Sequence, residues 1–145
     1  MIKTQSRVQF HFLLPFSLRD RRALKTFIIQ VFQKERHIVE SVEIIFCNDA
    51  RLLSLNKQYL KHDFYTDILS FPLSDPAEPL IAEIYISVDR VRENAKSLDL
   101  SFKEEMHRVI FHGILHFCGY KDKSASQIRE IRAAETKYLK AYFKR

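Results

Sequence analysis

The stretch from His107 to Asp122, HRVIFHGILHFCGYKD, constrains this chain more than any other. His112 and His116 stand four residues apart among apolar neighbours: Val109, Ile110, Phe111, Ile114, Leu115 and Phe117. A helix through this run projects both imidazoles from one face, one turn apart. In surroundings that apolar, two imidazoles need hydrogen-bond partners or a shared cation. Gly119 is placed to end the helix in a left-handed conformation. Asp122 follows three residues later, where a returning chain can present a third ligand. Two imidazoles and a carboxylate, with positions left for water, suit a catalytic rather than a structural metal site.

A bare H-x-x-x-H pair arises often by chance. Here the helix, the glycine stop and the acid each do a separate geometric job. The residue after the first histidine narrows the chemistry further. In H-E-x-x-H peptidases a glutamate there deprotonates the attacking water. Here it is Gly113, so a peptidase lacks its general base.

Gly113 and Gly119 are the only glycines, which excludes the Gly-rich phosphate loops of nucleotide-binding folds. No apolar run approaches the roughly 18 residues of a membrane helix. The opening MIKTQSRVQFHFLLPF is too short and too interrupted for a signal peptide. Two cysteines, Cys47 and Cys118, make no disulfide framework, so a reducing cytoplasm is the expected location. At 145 residues the chain is expected to form one domain over 1–145. Lysine and arginine number 24 against 18 acidic residues, a net charge of +6. That balance leans toward a polyanionic partner, and it also suits a basic surface that binds nothing.

Periodicity gives the elements. Residues 7–14 read as a strand on the alternation of Val8, Phe10 and Phe12. Residues 20–36 read as a helix burying Leu24, Phe27, Ile28, Val31 and Phe32, with Asp20 as its cap. A strand over 40–47 precedes a short helix capped by Asp49 and carrying Leu52, Leu53 and Leu55. Strands follow at 66–71 and 80–87, then a helix at 88–98. Ser101 and Glu104 form a capping box for a helix to about Phe117. A last helix over about 125–142 is expected to bury Ile128, Ile131, Ala134, Tyr138 and Leu139. The sum is an α+β domain: a four-stranded mixed sheet, five helices, and the metal site on a helix and the loop after it.

At this point the sequence resembles a known family. His112-Gly-Ile-Leu-His116-Phe-Cys-Gly119-Tyr120 is similar to the H-G-x-L-H-x-x-G-Y signature of the YbeY family, metal-dependent endoribonucleases that cut single-stranded RNA. Leu55-Asn56-x-x-Tyr59 and Thr66-Asp67-Ile68-Leu69-Ser70-Phe71-Pro72 resemble the family's L-N-x-x-[FY]-R and T-[DN]-V-L-S-F-P. Glu83-Ile-Tyr-Ile-Ser87 resembles its G-D-I-x-I-S strand. The resemblance implies a zinc-type ion, with Mn2+ or Ni2+ as alternatives, on His112, His116 and Asp122. It also implies an RNA substrate, maturation of small-subunit ribosomal RNA, ribosome quality control and partners on the small ribosomal subunit.

Three positions depart from the family pattern. The family's Gly-Tyr-Asp-His, whose last residue is the third ligand, ends here in Lys121 and Asp122. A carboxylate can replace the imidazole, and it moves metal preference toward manganese or iron. The arginine after the aromatic is Leu60, which leaves Lys61 or His62 to hold phosphate. The proline before Thr66 is Tyr65. Lys61 and Lys121 are therefore the expected phosphate-binding catalytic residues. With Lys57 and Lys123 they would grip the RNA backbone without reading sequence. The rival from another class is a ribosome-associated RNA-binding factor whose metal is structural and whose cleavage is weak or lost. Outside the motif, His107 is expected to be a buried, hydrogen-bonded residue and Cys118 a small core residue. His11 and His37 are expected at the surface. Arg19, Arg21, Arg22 and Lys25 gather at a helix start, where cations oppose the dipole and a contact role becomes more plausible than a solvated face.

Overall fold

The computed structural model describes residues 5–62 and 66–144, so the departure at Tyr65 lies outside the described residues. Strand periodicity divides the core. In β2 (Val39–Cys47) and β4 (Leu80–Ser87), Val42, Ile44, Phe46, Ala82, Ile84 and Ile86 all point to one face and are buried there. The alternate residue Cys47 points to the other face, into a smaller cluster with Leu52, Leu55 and Leu69. Strands apolar on both faces belong inside a parallel sheet, and these two are the central pair.

The sheet runs β1-β2-β4-β3, with β1 (Arg7–Phe12) parallel to β2 and β2 parallel to β4. The edge strand β3 (Ile68–Pro72) pairs antiparallel with β4, in register Ile68↔Ile86 through Pro72↔Ala82. Pro72 closes the edge, where a missing N–H costs no ladder bond. The four-stranded mixed α+β arrangement expected from sequence is therefore present.

Five helices complete the fold: α1 (Arg21–Lys34), α2 (Asp49–Leu55), α3 (Val88–Ser97), α4 (Phe102–Phe117) and α5 (Ala125–Phe143). Helix α4 is buried along most of its length. Met106, Val109, Ile110, Phe111, Ile114 and Leu115 join the larger core with residues of α1, α5, β2 and β4. Gly113 lets it lie this close to the sheet: a Cβ there would meet Ile68 Cδ1 at 2.7 Å and Ile84 Cδ1 at 3.3 Å. Helix α2 covers the opposite face through Leu52 and Leu55. Beyond α2 the chain takes one wider, π-type turn over Asn56–Leu60 before Lys61 turns left-handed at φ 56°.

Four details differ from the sequence reading. Asp20 occupies the α1 cap position, but its backbone is left-handed and its side chain caps nothing. The α2 cap is Asn48, whose side chain accepts from the Arg51 N–H; Asp49 instead accepts from Ser87 Oγ and Arg90, tying α2 to the start of α3. Ser101 accepts from the Glu104 N–H as expected, while the reciprocal capping box is at α5, between Ser124 and Gln127. Ile128 is 39% exposed rather than buried, and Tyr142 takes a place on the inner face of α5 instead.

His107 is buried, with its Nδ1 at 2.7 Å from the Lys103 carbonyl and its ring stacked on Tyr142. His11 lies exposed against Glu43, and His37 is exposed. No helix among the described residues is long and apolar enough to cross a membrane.

Both thiols sit where burial disfavours the charged form. Burial pushes Cys47 up to about 11 and Cys118 up to about 12. Since the thiolate is the reactive species, neither cysteine should be alkylated by iodoacetamide at about pH 8 in the native protein. Both should be labelled once denaturant is added, with mass spectrometry as the readout; rapid native labelling of Cys118 would contradict this packing.

Candidate metal centre

The site is assembled by the way two helices end and begin. At the C-terminus of α4, the Gly119 N–H donates to the His116 carbonyl and the Tyr120 N–H to the Leu115 carbonyl, both at 3.1 Å. This is the paired closure of a Schellman motif. It requires a left-handed residue, and Gly119 supplies it at φ 98°. Four residues on, α5 opens with its own lock. Ser124 Oγ accepts from the Gln127 N–H at 3.2 Å, and Gln127 Oε1 accepts from the N–H groups of Ser124 and Lys123 at 3.1 and 3.0 Å. Asp122 lies on the short segment held between these two stops.

That segment returns to the histidines. His112 Nε2 and His116 Nε2 lie 3.0 Å apart, and Asp122 Oδ2 lies 3.6 Å from the first and 3.3 Å from the second. Donors about 2.1 Å from a tetrahedral zinc are about 3.4 Å from one another, so the three spacings bracket what one such ion requires. The sequence-expected ligands are thus brought together. Among the described residues they are the one group of three side chains able to hold a metal ion in this way.

A further residue, not anticipated from sequence, sets the chemistry of His112. Glu135 of α5 is 3% exposed, and its Oε2 lies 2.6 Å from His112 Nδ1. A carboxylate only accepts. Nδ1 therefore carries the proton, and Nε2 offers its lone pair toward His116 and Asp122. This is the outer-shell arrangement that fixes a ligating imidazole's tautomer. Glu135 Oε1 in turn accepts from Arg108 at 3.1 Å, and Arg108 also reaches Thr136 Oγ1 at 3.5 Å. The buried carboxylate is therefore satisfied on both oxygens.

Electrostatics follow from burial and neighbours. Burial pulls the His112 imidazole down, but the Glu135 hydrogen bond and charge, with Asp67 and Asp122 behind them, raise it overall. Burial pushes the Asp67 carboxyl up, against the pull of His112. Burial also raises Glu105, helped by Asp67. Negative groups on several sides of two imidazoles favour a cation between them.

Beside His112 opens a cleft of about 240 Å³, lined by Asp67, Glu105, Arg108, Ile128, Arg132 and Glu135 among others. The lysines expected to serve the site are elsewhere on the surface. Lys121 is exposed next to Asp122, and Lys61 is exposed at the end of the π-type turn; neither lines this cleft. The cations that do line it are Arg108 and Arg132. Sequence carried one signal for Glu135: it falls on the inner stripe of α5 with Ile131, Tyr138 and Tyr142, where a charge must have a partner. Nothing local marked which partner.

The chain is similar to several known proteins. A family model described as Endoribonuclease YbeY matches residues 16–143. A Flavobacterium psychrophilum protein named Endoribonuclease YbeY is 38% identical over 135 residues, 93% of this chain and 96% of its own. A Porphyromonas gingivalis protein of the same name is 44% identical over 119 residues, covering 82% and 78%. The solution structure of TM1509 from Thermotoga maritima has a TM-score of 0.63 at 26% identity, covering 94% of this chain and 89% of that one.

The Glu135 contact predicts a measurable effect on the metal. Glu135→Gln keeps the shape but removes the charge, so divalent-metal affinity should fall about 10–100-fold, read by competition with a chelator. Secondary structure should be retained by circular dichroism. Unaltered affinity in a folded variant would remove Glu135 from the site.

Proposed function

Starting from the fact that the chain belongs to the YbeY family of endoribonucleases, hydrolases that act on RNA, we propose that it is a metal-dependent enzyme specific for single strands. We propose further that it matures small-subunit ribosomal RNA in the cytoplasm and takes part in ribosome quality control there. The observation that carries the metal reading is the convergence of His112 Nε2, His116 Nε2 and Asp122 Oδ2 within 4.8 Å of one another. The two ring nitrogens and one carboxylate oxygen suit zinc, and the carboxylate also suits manganese. When bound there, a divalent cation supplies Lewis acidity toward a phosphoryl oxygen and makes water easier to deprotonate.

The chain's own groups do the rest. Glu135 holds the His112 proton at Nδ1 and keeps Nε2 turned toward the other two donors. Arg108 balances the Glu135 charge inside the protein. Gly113 supports the choice of RNA over peptide: a Cβ there would run into Ile68 and Ile84, so a side chain would enter the core rather than serve as a base. Lys121 and Lys61, both exposed, would meet phosphates of the strand outside the cleft, acting by charge rather than by sequence.

Two measurements test this. The purified chain should hold about one divalent ion that His112→Ala loses, by elemental analysis. Cleavage of a single-stranded RNA in zinc, manganese or nickel should be lost in His116→Ala. Binding of RNA without any metal-supported cleavage would instead favour the rival reading of a ribosome-associated binding factor. A separate variant, Asp122→His, installs the family's third ligand and should move metal preference from manganese toward zinc.

A further inference from the structure

The cleft beside His112 contains a group that neither the cation nor the fold accounts for. Glu105, in the first turn of α4, is 5% exposed and lines this cleft of about 240 Å³. Its Oε1 is buried and accepts no hydrogen bond from the described residues. Buried carboxyl oxygens are normally satisfied, so the missing partner is a donor that arrives from outside. A second metal ion is a poor fit. Among the described residues only His112, His116 and Asp122 bring three ligand atoms within 4.8 Å, and Asp67 and Glu105 do not join them. A phosphate is a poor fit too, because Glu105 and Asp67 would repel it from the cleft's inner wall.

The other lining residues describe a different occupant. Ile128 and Ile131 give one aliphatic wall, and Arg132 makes no ion pair among the described residues. Acceptor at the cleft floor, apolar wall and a guanidinium that acts on Glu105 only through its charge together match a nucleotide: N–H donors on the base, a flat ring, and a phosphate. We propose that this cleft is a nucleobase subsite selecting bases that carry an exocyclic amino group. Glu105 accepts from that amino group, Ile128 and Ile131 pack on the ring, and Arg132 meets the adjoining phosphate. The assignment rests on the RNA-cleaving reading above and deepens it, giving base preference to an enzyme whose other contacts are to the backbone.

Cytosine and uracil separate the idea cleanly. They share ring and size, but cytosine presents an N4 amino donor where uracil presents the O4 acceptor. Uracil would set acceptor against acceptor at Glu105, the kind of mismatch that buried polar sites reject strongly. Binding of cytidine and uridine monophosphates to the full zinc-loaded chain, by calorimetry, reads this without any bond being cut. The cytidine nucleotide should bind about tenfold more tightly or better. Glu105→Gln, whose amide can turn either atom to the base, should bring the ratio close to one. Arg132→Ala should weaken both nucleotides by a similar factor and preserve the ratio. Equal binding by the unaltered chain, or a ratio that survives Glu105→Gln, overturns the subsite. Should Glu105→Gln not fold, Ile128→Trp, at an exposed position, should fill the cleft and abolish both; unaltered binding there also overturns it. Cleavage of single-stranded RNA by the same preparation keeps the two claims apart. Cutting without nucleotide discrimination ends the subsite alone, and discrimination without cutting ends the enzymatic reading alone.

Discussion

His112 has one proton to place, and Glu135 decides where it goes. The 2.6 Å contact to Nδ1 joins α4 to α5 at the point where both helices turn their polar residues inward. An ionised carboxylate that deep is tolerated only because each oxygen has a charged or N–H partner. Arg108 supplies the second partner and lies one helical turn before His112, so the same face of α4 carries the cation, the first ligand and, a further turn on, the second. Remove the carboxylate and Arg108 is left half-buried without its counter-charge while the imidazole is free to choose the other tautomer. The tautomer of His112 and the packing of α4 on α5 thus both depend on this one side chain.

Backbone hydrogen bonds place the third donor. A four-residue gap between the Gly119 stop and the Ser124 start leaves the loop little freedom, because both ends are fixed by hydrogen bonds and Tyr120 packs against the core. Asp122 itself is exposed, so its position comes from these flanking locks and not from burial. That separation of tasks explains how the third position can change its chemistry, imidazole to carboxylate, without disturbing the fold around it. The loop geometry is set by Gly119, Ser124 and Gln127, none of which is a ligand.

What could be read from the chain beforehand followed the range of the forces involved. The α4 helix, its glycine stop and the returning acid lie within one short run, and each is a local signal of a kind that propensity and capping chemistry describe. The central strands were equally legible, since their apolar residues recur along short β-rich runs. Glu135 and Glu105 were not. A glutamate on an inner helical face announces that it needs a partner, but the partner is fixed by how α4 and α5 cross, which no local pattern encodes. The smaller errors have the same origin. Asn48 and Asp49 are both good caps by type, and the choice fell to Asn48 because Ser87 and Arg90 engage Asp49. Ile128 fits the apolar spacing of α5 yet lies at the rim of the cleft rather than in the core.

The two departures from the family pattern in the loop oppose each other, and distance decides which governs what. The pattern's Asp-His gives one negative charge beside a neutral ligand; Lys121-Asp122 gives a positive charge beside a negative ligand. For the ion, the nearest atom dominates. Asp122 Oδ2 sits 3.3 Å from His116 Nε2, inside any ligand shell that includes both, so an ion bound by both would have a more anionic donor set and be a weaker Lewis acid. Lys121 is exposed, so solvent and salt screen its charge and it offsets the ligand change only weakly. For an approaching RNA backbone the order reverses. An ion held at Asp122 would partly neutralise its charge, while Lys121 is exposed, so the loop would meet phosphates as a cationic surface. A chain that lacks the family arginine at Leu60 thus keeps an exposed lysine, Lys121, beside Asp122.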